Sequence, residues 1–205
     1  MSEDHERYPI GGRMSDIVHG LGQRFGLRSL TGRYNSVTVL GLFSFVNGLI
    51  SIALMSFVAL ATGQPFVFPS LGPTAFLIFY TPLQPTACPR NTICGHLIGA
   101  VAGYLSLVVF GLVDAGPALA VGVTWARVGA AALSLALTSG VMVWLRVPHP
   151  PAGATTLIVS LGLITTIPDI LVLMLGVVLL VVQGFAINRL AGVPYPVWAP
   201  RPATT

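Results

Sequence analysis

The chain has 205 residues, of which 54% are hydrophobic and only 8% are charged, and its formal net charge is +4. A soluble domain carries about 25% charged residues, so the composition excludes an ordinary soluble fold and predicts a polytopic membrane protein. The basic residues are all arginines, and they form no basic stripe of the kind that binds nucleic acid. We therefore expect a lipid bilayer, and no nucleic acid, as a partner.

Residues 1–35 are polar and are predicted to form a cytoplasmic N-terminal segment. Within them, residues 14–30 place apolar side chains on one helical face, which is typical of a helix lying on a membrane surface. A transmembrane domain is predicted over residues 36–190, followed by a cytoplasmic tail over residues 191–205. No transit peptide is apparent, so we expect a bacterial inner membrane as the host.

Six hydrophobic segments divide the transmembrane domain. The first, third, fourth and sixth are long enough to cross a bilayer, because about 20 apolar residues span its core. The second and fifth are short, so they form either re-entrant hairpins or thin, partly unwound spans. The six segments are residues 36–62, 66–81, 92–113, 118–145, 148–166 and 168–188.

The charged loop residues favour six crossings. If both short segments cross, then Arg90, Arg146 and Arg189 face the cytoplasm, while Asp114 and Asp169 face outward. If the short segments are re-entrant, Arg90 and Arg146 move to the outside. Because arginine collects on the cytoplasmic side, we predict an all-α protein with six membrane segments and with both termini in the cytoplasm.

Six crossings make the two halves, residues 36–113 and 118–190, inverted repeats of three helices with one short interrupted helix in each. The interruptions read VFPSLGPTA at residues 67–75 and VPHPPAGAT at residues 147–155. Matching Gly/Pro-interrupted segments indicate the solute site of a transporter, because proline breaks the helix there. Alternatively, these residues only kink helices and permit close packing. Their matching positions favour a solute site.

The run PHPPAGA at residues 148–154 resembles the HPP family of integral membrane proteins, which is named for the His-Pro-Pro tripeptide found here at residues 149–151. Residues 68–75 and 89–99 are similar to the same family, and the resemblance extends over about residues 36–190. It implies a transporter-like membrane protein, with nitrite transport attached to plant-plastid and cyanobacterial members. The family is often described with four spans, which differs from the six that the charges favour.

A helix that begins inside a membrane offers unpaired N–H groups and a partial positive charge to a small anion. Ser70 is predicted to cap the helix that follows the first interruption. Gly153 lets the backbone approach closely after the second interruption, and the threonines beside it supply hydroxyls. A nitrite-sized anion would lie between the two helix starts. The predicted substrate-binding residues are Ser70, Gly72, Thr74, Arg127, His149, Gly153, Thr155 and Thr156.

Three ionisable residues have two interpretations each. Arg127 either lies near the bilayer middle, where it attracts an anion, or belongs to a segment that starts after residues 118–124 and reaches the outer interface. His149 either adds positive charge and couples transport to protons or caps a carbonyl freed by the following prolines. His96 either joins a vestibule near Arg90 or is a satisfied interfacial histidine, which we expect.

Gly95, Gly99 and Gly103 repeat at G-x-x-x-G spacing, which predicts tight helix packing within the protomer or across a homodimer. Cys88 and Cys94 lack the spacing of a zinc site, so we expect no metal and no cofactor. No constellation typical of an enzyme is visible.

We therefore expect transport of a small inorganic anion, with nitrite first. The alternatives are transport of another small anion or a neutral solute, and a scaffold subunit that does not transport. The sequence leaves open a channel or alternating access.

Overall fold

A computed structural model describes residues 27–200 of the chain. These residues form α-helices joined by loops and one 3₁₀ turn at Pro85–Ala87, which confirms the all-α class. The predicted surface helix lies outside the described residues except for its last four, which begin the first helix below. In chain order the helices are α1 (Leu27–Arg33), α2 (Ser36–Thr62), α3 (Leu71–Tyr80), α4 (Pro89–Val109), α5 (Ala118–Val121), α6 (Trp125–Trp144), α7 (Ala152–Ser160) and α8 (Ile167–Leu190).

Four helices, α2, α4, α6 and α8, are long and apolar enough to cross a membrane, with 27, 21, 20 and 24 residues. Helices α3 and α7 have 10 and 9 residues, too few to cross a bilayer core without the extended chain before them. The predicted alternation of long and short helices is therefore present. The six crossings and the inverted repeat stay predictions.

Two of the long helices start at a different residue from the predicted segment, and each start has a local cause. For the fourth segment the sequence had left a start after residues 118–124 open. Helix α4 begins at Pro89 rather than at residue 92, because proline is favoured in the first helical turn. Helix α6 begins at Trp125 rather than at residue 118. The hydroxyl of Thr124 caps it by accepting the Arg127 N–H, and Gly122, with a φ of 84°, ends the preceding turn.

The predicted tight packing at the glycine repeat of α4 is confirmed, and the partner is α7 of the same chain. A Cβ atom on Gly95 would lie 2.7 Å from the Cβ of His149, and one on Gly99 would lie 2.6 Å from the carbonyl oxygen of Ala152. Real Cβ atoms do not approach so closely. Only glycine at these positions lets the two helices lie this near each other.

Each short helix packs against the long helix that precedes it and against the last helix of the other half. Helix α3 contacts α2 and α8, and α7 contacts α6 and α4. On the α8 side, Gly184 leaves room for the side chain of Ile78. The Asn188 side-chain amide then donates to the Ile78 carbonyl at 3.0 Å. The same pattern of neighbours therefore surrounds both short helices.

Two contacts bring the start of α4 and the segment that follows α8 to the same end of the helix bundle. The Arg90 N–H donates to the Trp198 carbonyl at 3.0 Å, and the Tyr195 hydroxyl donates to the Ala87 carbonyl. The end of α6 lies there too, because the Arg90 guanidinium donates to the Arg146 carbonyl at 3.3 Å. We call this end of the bundle the arginine end.

The α4–α7 contact predicts that Gly99→Ala lowers stability. The added methyl would collide with a backbone carbonyl, which cannot rotate away as a side chain can, and overpacking of this kind costs about 1–3 kcal/mol. The matched control is Gly48→Ala in α2, where a Cβ would meet nothing within 4 Å. Thermal unfolding in detergent should show a lower midpoint for Gly99→Ala and an unchanged or higher one for Gly48→Ala. Equal midpoints would contradict the close approach.

Candidate functional site

The two short helices begin beside each other at a group of four buried polar side chains, Thr74, His96, His149 and Thr155, which we call the His–Thr cluster. Thr74 lies in the first turn of α3, and Thr155 lies in the first turn of α7. His96 comes from α4, and His149 precedes α7. All four side chains are 0% exposed, so the cluster is a polar site inside an apolar bundle.

Every member of the cluster lies within hydrogen-bond distance of another member. The Thr74 hydroxyl oxygen is 2.9 Å from His96 Nε2 and 3.3 Å from His149 Nε2. The two Nε2 atoms are 3.2 Å apart. On the far sides of the rings, His96 Nδ1 is 2.6 Å from the Thr155 hydroxyl, and His149 Nδ1 is 2.8 Å from the Thr86 carbonyl oxygen. The network therefore joins α3, α4 and α7.

The hydrogen-bond partners assign a tautomer to each ring. A carbonyl only accepts, so His149 Nδ1 must donate to Thr86, and Nε2 of a neutral His149 is left as an acceptor. His96 Nε2 then donates into the space between Thr74 and His149, and His96 Nδ1 accepts from the Thr155 hydroxyl. The Thr74 hydroxyl donates to the Ser70 carbonyl at 2.9 Å. Two neutral imidazoles satisfy all of these bonds together.

Thr74 and Thr155 occupy equivalent positions, since each is the fourth residue of its short helix. They bind opposite ring nitrogens of the same histidine, His96. The second residues of the two helices, Gly72 and Gly153, do not face the cluster. Gly72 is exposed, and a Cβ on Gly153 would meet Leu135 of α6. Of the predicted site residues, the structure therefore brings the threonines together and leaves the glycines outside.

Three buried hydroxyls close in sequence to cluster residues have no hydrogen-bond partner among the described residues, and they belong to Ser70, Thr92 and Thr156. Each is 0% exposed. Ser70 precedes Thr74 by four residues, Thr92 precedes His96 by four, and Thr156 follows Thr155. A buried hydroxyl without a partner is costly. Thr92 was not predicted from the sequence.

The sequence predicted unpaired backbone amides at the two helix starts, but several of these amides are hydrogen-bonded. In α7, the N–H groups of residues 152–155 donate to the carbonyls of residues 149–151, and in α3 the Leu71 N–H donates to the carbonyl three residues earlier. The reason is that the residue before each helix already has helical dihedral angles, with φ of −68° at Ser70 and −58° at Pro151. At the start of α7, hydroxyls and imidazoles rather than free amides are therefore the polar groups.

Arg127 lies away from the cluster. It is in the first turn of α6, so the helix starts after residues 118–124, as the second interpretation had it, but the side chain is buried instead of reaching an interface. Its guanidinium is buried and donates to the Ser160 carbonyl at 3.0 Å and to the Gly116 carbonyl at 2.8 Å. Ser160 is the last residue of α7. Arg127 therefore satisfies the carbonyl end of α7, opposite to the end that carries the cluster.

His149 and His96 also differ from the expectations. His149 bonds the Thr86 carbonyl rather than a carbonyl freed by the prolines that follow it. His96, which was expected at an interface, is fully buried at the centre of the cluster. One sequence signal could have found it, because His96 lies between Gly95 and Gly99. A polar residue within a glycine repeat is brought against the neighbouring backbone.

Comparison with known proteins supports the resemblance found in the sequence. A family model described as HPP, transmembrane region, matches residues 35–196. Two transmembrane proteins of Dictyostelium discoideum are similar to the chain. One is 34% identical over 118 residues, which cover 57% of this chain and 34% of that protein. The other is 32% identical over 116 residues, which cover 56% and 37%.

The chain spans about a third of the length of these curated relatives. No solved structure matches it.

The position of Arg127 predicts that Arg127→Met lowers stability without changing anion affinity. The substitution leaves two carbonyls unsatisfied, and each buried unsatisfied group costs about 1–3 kcal/mol. Thermal unfolding should show a lower midpoint than in the exposed control Arg33→Met. The KM for nitrite uptake by the folded fraction in proteoliposomes should be unchanged. A higher KM with an unchanged unfolding midpoint would assign Arg127 to the anion site instead.

Proposed function

Because the chain belongs to the HPP family of transmembrane proteins, we propose that it transports a small inorganic anion, with nitrite first, and that the His–Thr cluster binds this anion. One observation carries the proposal. The first turns of the two short helices meet at a single buried polar cluster. A pair of interrupted helices with facing starts is the arrangement that transporters use for their solutes. We propose transport rather than catalysis for this site.

The chemistry of the cluster suits an anion rather than a cation. The ends of α3 and α7 that point at the cluster are N-terminal, so their helix dipoles favour negative charge there. The unpartnered hydroxyls of Ser70, Thr92 and Thr156 are hydrogen-bond donors. Among the described residues the only carboxylates are Asp114 and Asp169, which lie in the loop after α4 and in the first turn of α8, away from the cluster. An anion in the cluster would therefore meet donors and no fixed negative charge.

Two arginines mark a route from the arginine end to the cluster. His96 follows Arg90 by six residues of α4, which corresponds to about 9 Å along the helix axis. Arg146 lies next to Arg90 and is exposed, and His149 follows it by three residues. Positive charge at the mouth of a cleft raises the local concentration of anions. The arginine end is therefore the proposed entrance on that side.

We also propose that the chain crosses the membrane six times. The chain contacts the start of α4 within a few residues after α8, through Tyr195 and Trp198. The five residues from Ala191 to Tyr195 extend about 18 Å at most, whereas a bilayer core is about 30 Å thick. The start of α4 and the end of α8 therefore share one face, which requires the segment between α6 and α8 to cross. If that segment were re-entrant, they would lie on opposite faces. Ser36, at the start of α2, lines the same cavity as Val193 after α8, so α2 also starts on this face and the segment between α2 and α4 must cross as well.

Charge and packing support the orientation and the repeat. The ends of α6 and α8 and the start of α4 carry Arg146, Arg189 and Arg90, and arginine favours the cytoplasmic side. Both termini of the membrane domain are therefore proposed to be cytoplasmic. The matching neighbours of α3 and α7 support an inverted repeat. The bacterial inner membrane as host and the homodimer stay predictions.

The anion site predicts that Thr74→Val impairs transport. Valine keeps the shape of threonine but removes the hydroxyl oxygen that accepts from His96 Nε2. Hydrogen bonds to charged groups contribute about 1.5–3 kcal/mol, so the KM should rise about tenfold or more. Nitrite, nitrate, formate and chloride uptake into proteoliposomes is the measurement, and Thr74→Ser should retain most of the affinity.

The matched control for Thr74→Val is Thr138→Val. Thr138 is also buried and also donates to the carbonyl four residues earlier, but it lies in α6. Loss of the Thr138 hydroxyl should leave the KM for anion uptake unchanged. If both variants changed the KM equally, the cluster would not be the anion site. Uptake of a neutral solute alone, or of no solute by the wild type, would favour the alternative functions and overturn anion transport.

The proposed entrance predicts that Arg146→Gly weakens uptake while the protein stays folded. Arg146 has a φ of 56°, which glycine adopts without strain, so the unfolding midpoint should change little. Loss of one surface charge should raise the KM about threefold, and the effect should shrink in high salt. The control Arg33→Gln removes a charge from α1 and should leave the KM unchanged. A KM for Arg146→Gly that equals the wild-type value in low salt would contradict this entrance.

A further inference from the structure

The His–Thr cluster has one position that can take up a proton without losing a hydrogen bond. In the neutral network, His96 Nδ1 is an acceptor that faces the Thr155 hydroxyl at 2.6 Å. We propose that the His96–His149 pair binds one proton together with each transported anion, so that the anion crosses the membrane as an electroneutral proton–anion pair. This inference rests on the proposed anion transport and adds the proton as a second transported ion.

The protonation step requires only the rotation of one hydroxyl. A proton from water that binds His96 Nδ1 turns this atom from acceptor to donor, and the Thr155 hydroxyl oxygen then accepts. The hydroxyl proton of Thr155 can turn to the carbonyl four residues earlier, as threonines in helices often do. Thr74, at the equivalent position of α3, already bonds in this way to the Ser70 carbonyl at 2.9 Å. In the protonated cluster, Thr74 and Thr155 would therefore bond in the same way, because each hydroxyl would donate to the carbonyl four residues earlier and accept from a ring nitrogen of His96.

The geometry limits the pair to one added proton. His149 Nδ1 already carries a hydrogen, which it donates to the Thr86 carbonyl. The only remaining site on that ring is Nε2, which lies 3.2 Å from His96 Nε2. A proton there would point at the hydrogen on His96 Nε2. The ring centroids are 4.8 Å apart, so a second positive charge would also face strong repulsion in a buried site.

The surroundings of the pair offer no negative charge among the described residues. Helices α3 and α7 and the 3₁₀ turn carry no charged residue, and Arg90 and Arg146 are the charged residues of the elements packed closest to the pair. The other titratable groups of α4 and of the segment packed against its start are the thiols of Cys94 and Cys88 and the Tyr195 phenol. Arg127 lies at the far end of α7. A proton on the pair would therefore be an uncompensated buried charge.

An anion removes this cost, and the coupling works in both directions. Burial of an unpaired charge is expensive, so the protonated pair gains most from a bound anion. By linkage, the proton strengthens anion binding by the same factor as the anion strengthens proton binding. The neutral resting cluster and the absence of a nearby carboxylate in the described chain thus favour binding of both together.

The first test measures protons and anions on the wild-type protein. The full chain in detergent, in weak buffer with a pH indicator, is titrated with nitrite and separately with nitrate. We expect uptake of one proton for each anion bound. Anion binding without proton uptake would overturn the inference while leaving anion transport intact. This measurement needs no variant and so does not depend on the folding of one.

The second test uses proteoliposomes with the membrane potential held at zero. An inward proton gradient should drive accumulation of nitrate about tenfold for each pH unit, because one unit corresponds to 1.36 kcal/mol per proton. An imposed potential alone should drive no accumulation. Nitrate is the main probe because nitrous acid crosses lipid unaided, and protein-free liposomes correct the nitrite data.

The variant His96→Gln keeps hydrogen-bonding groups but removes the ring nitrogen that takes up the proton. The nitrate uptake that remains in this variant should no longer follow the pH gradient, whereas uptake by the control Thr138→Val should follow it as the wild type does. Gradient-driven accumulation in His96→Gln would overturn the assignment to this pair. Wild-type anion uptake that follows the potential and ignores the pH gradient would overturn coupling alone. No anion uptake by the wild type under any condition would overturn the proposed function itself.

Discussion

The contact between α4 and α7 depends on the absence of side chains at three glycines, and the polar cluster depends on this contact. A Cβ on Gly95 would lie 2.7 Å from the Cβ of His149, so any larger residue would push His149 away from His96. Gly99 and Gly103 extend the same close approach along α7. Without hydrophobic attraction between helices in lipid, such packing is the main source of helix association. The same residues therefore hold the bundle together and set the distance between the two histidines.

The sequence predicted the parts of this site that are local in the chain. The interruptions before Thr74 and Thr155 identified the short helices, because proline and glycine act on their immediate neighbours. It missed the role of His96, whose partner His149 is 53 positions away. Only tertiary packing brings such residues together. The sequence left the position of Arg127 within its helix open, because Thr124, which caps the start of α6, is a weak signal within an apolar run. Charges predicted the shared end of α4 and α8, since arginine placement reflects topology.

The two halves contribute equivalent threonines to the cluster but no equivalent histidines. Thr74 and Thr155 are equivalent, yet only α4 supplies a histidine between them, and this ring binds each threonine through a different nitrogen. A neutral imidazole has one donor and one acceptor nitrogen. The two threonines therefore have opposite roles, so the hydrogen-bond chain has a direction although the two short helices have matching neighbours.

The two ends of each short helix are satisfied differently, and this difference leaves one end for a ligand. A helix that stops inside a membrane exposes carbonyls, which must find partners in the protein. The Arg127 guanidinium donates to the last carbonyl of α7, and Asn188 of α8 donates to a carbonyl near the end of α3. Both carbonyl ends are thus held by fixed side chains. At the starts, by contrast, the hydroxyls of Ser70 and Thr156 have no partner among the described residues. Buried polar groups are normally paired. The carbonyls at the ends of both short helices already have donors, whereas hydroxyls at the starts of both helices have no partner. This difference favours a ligand between the two helix starts.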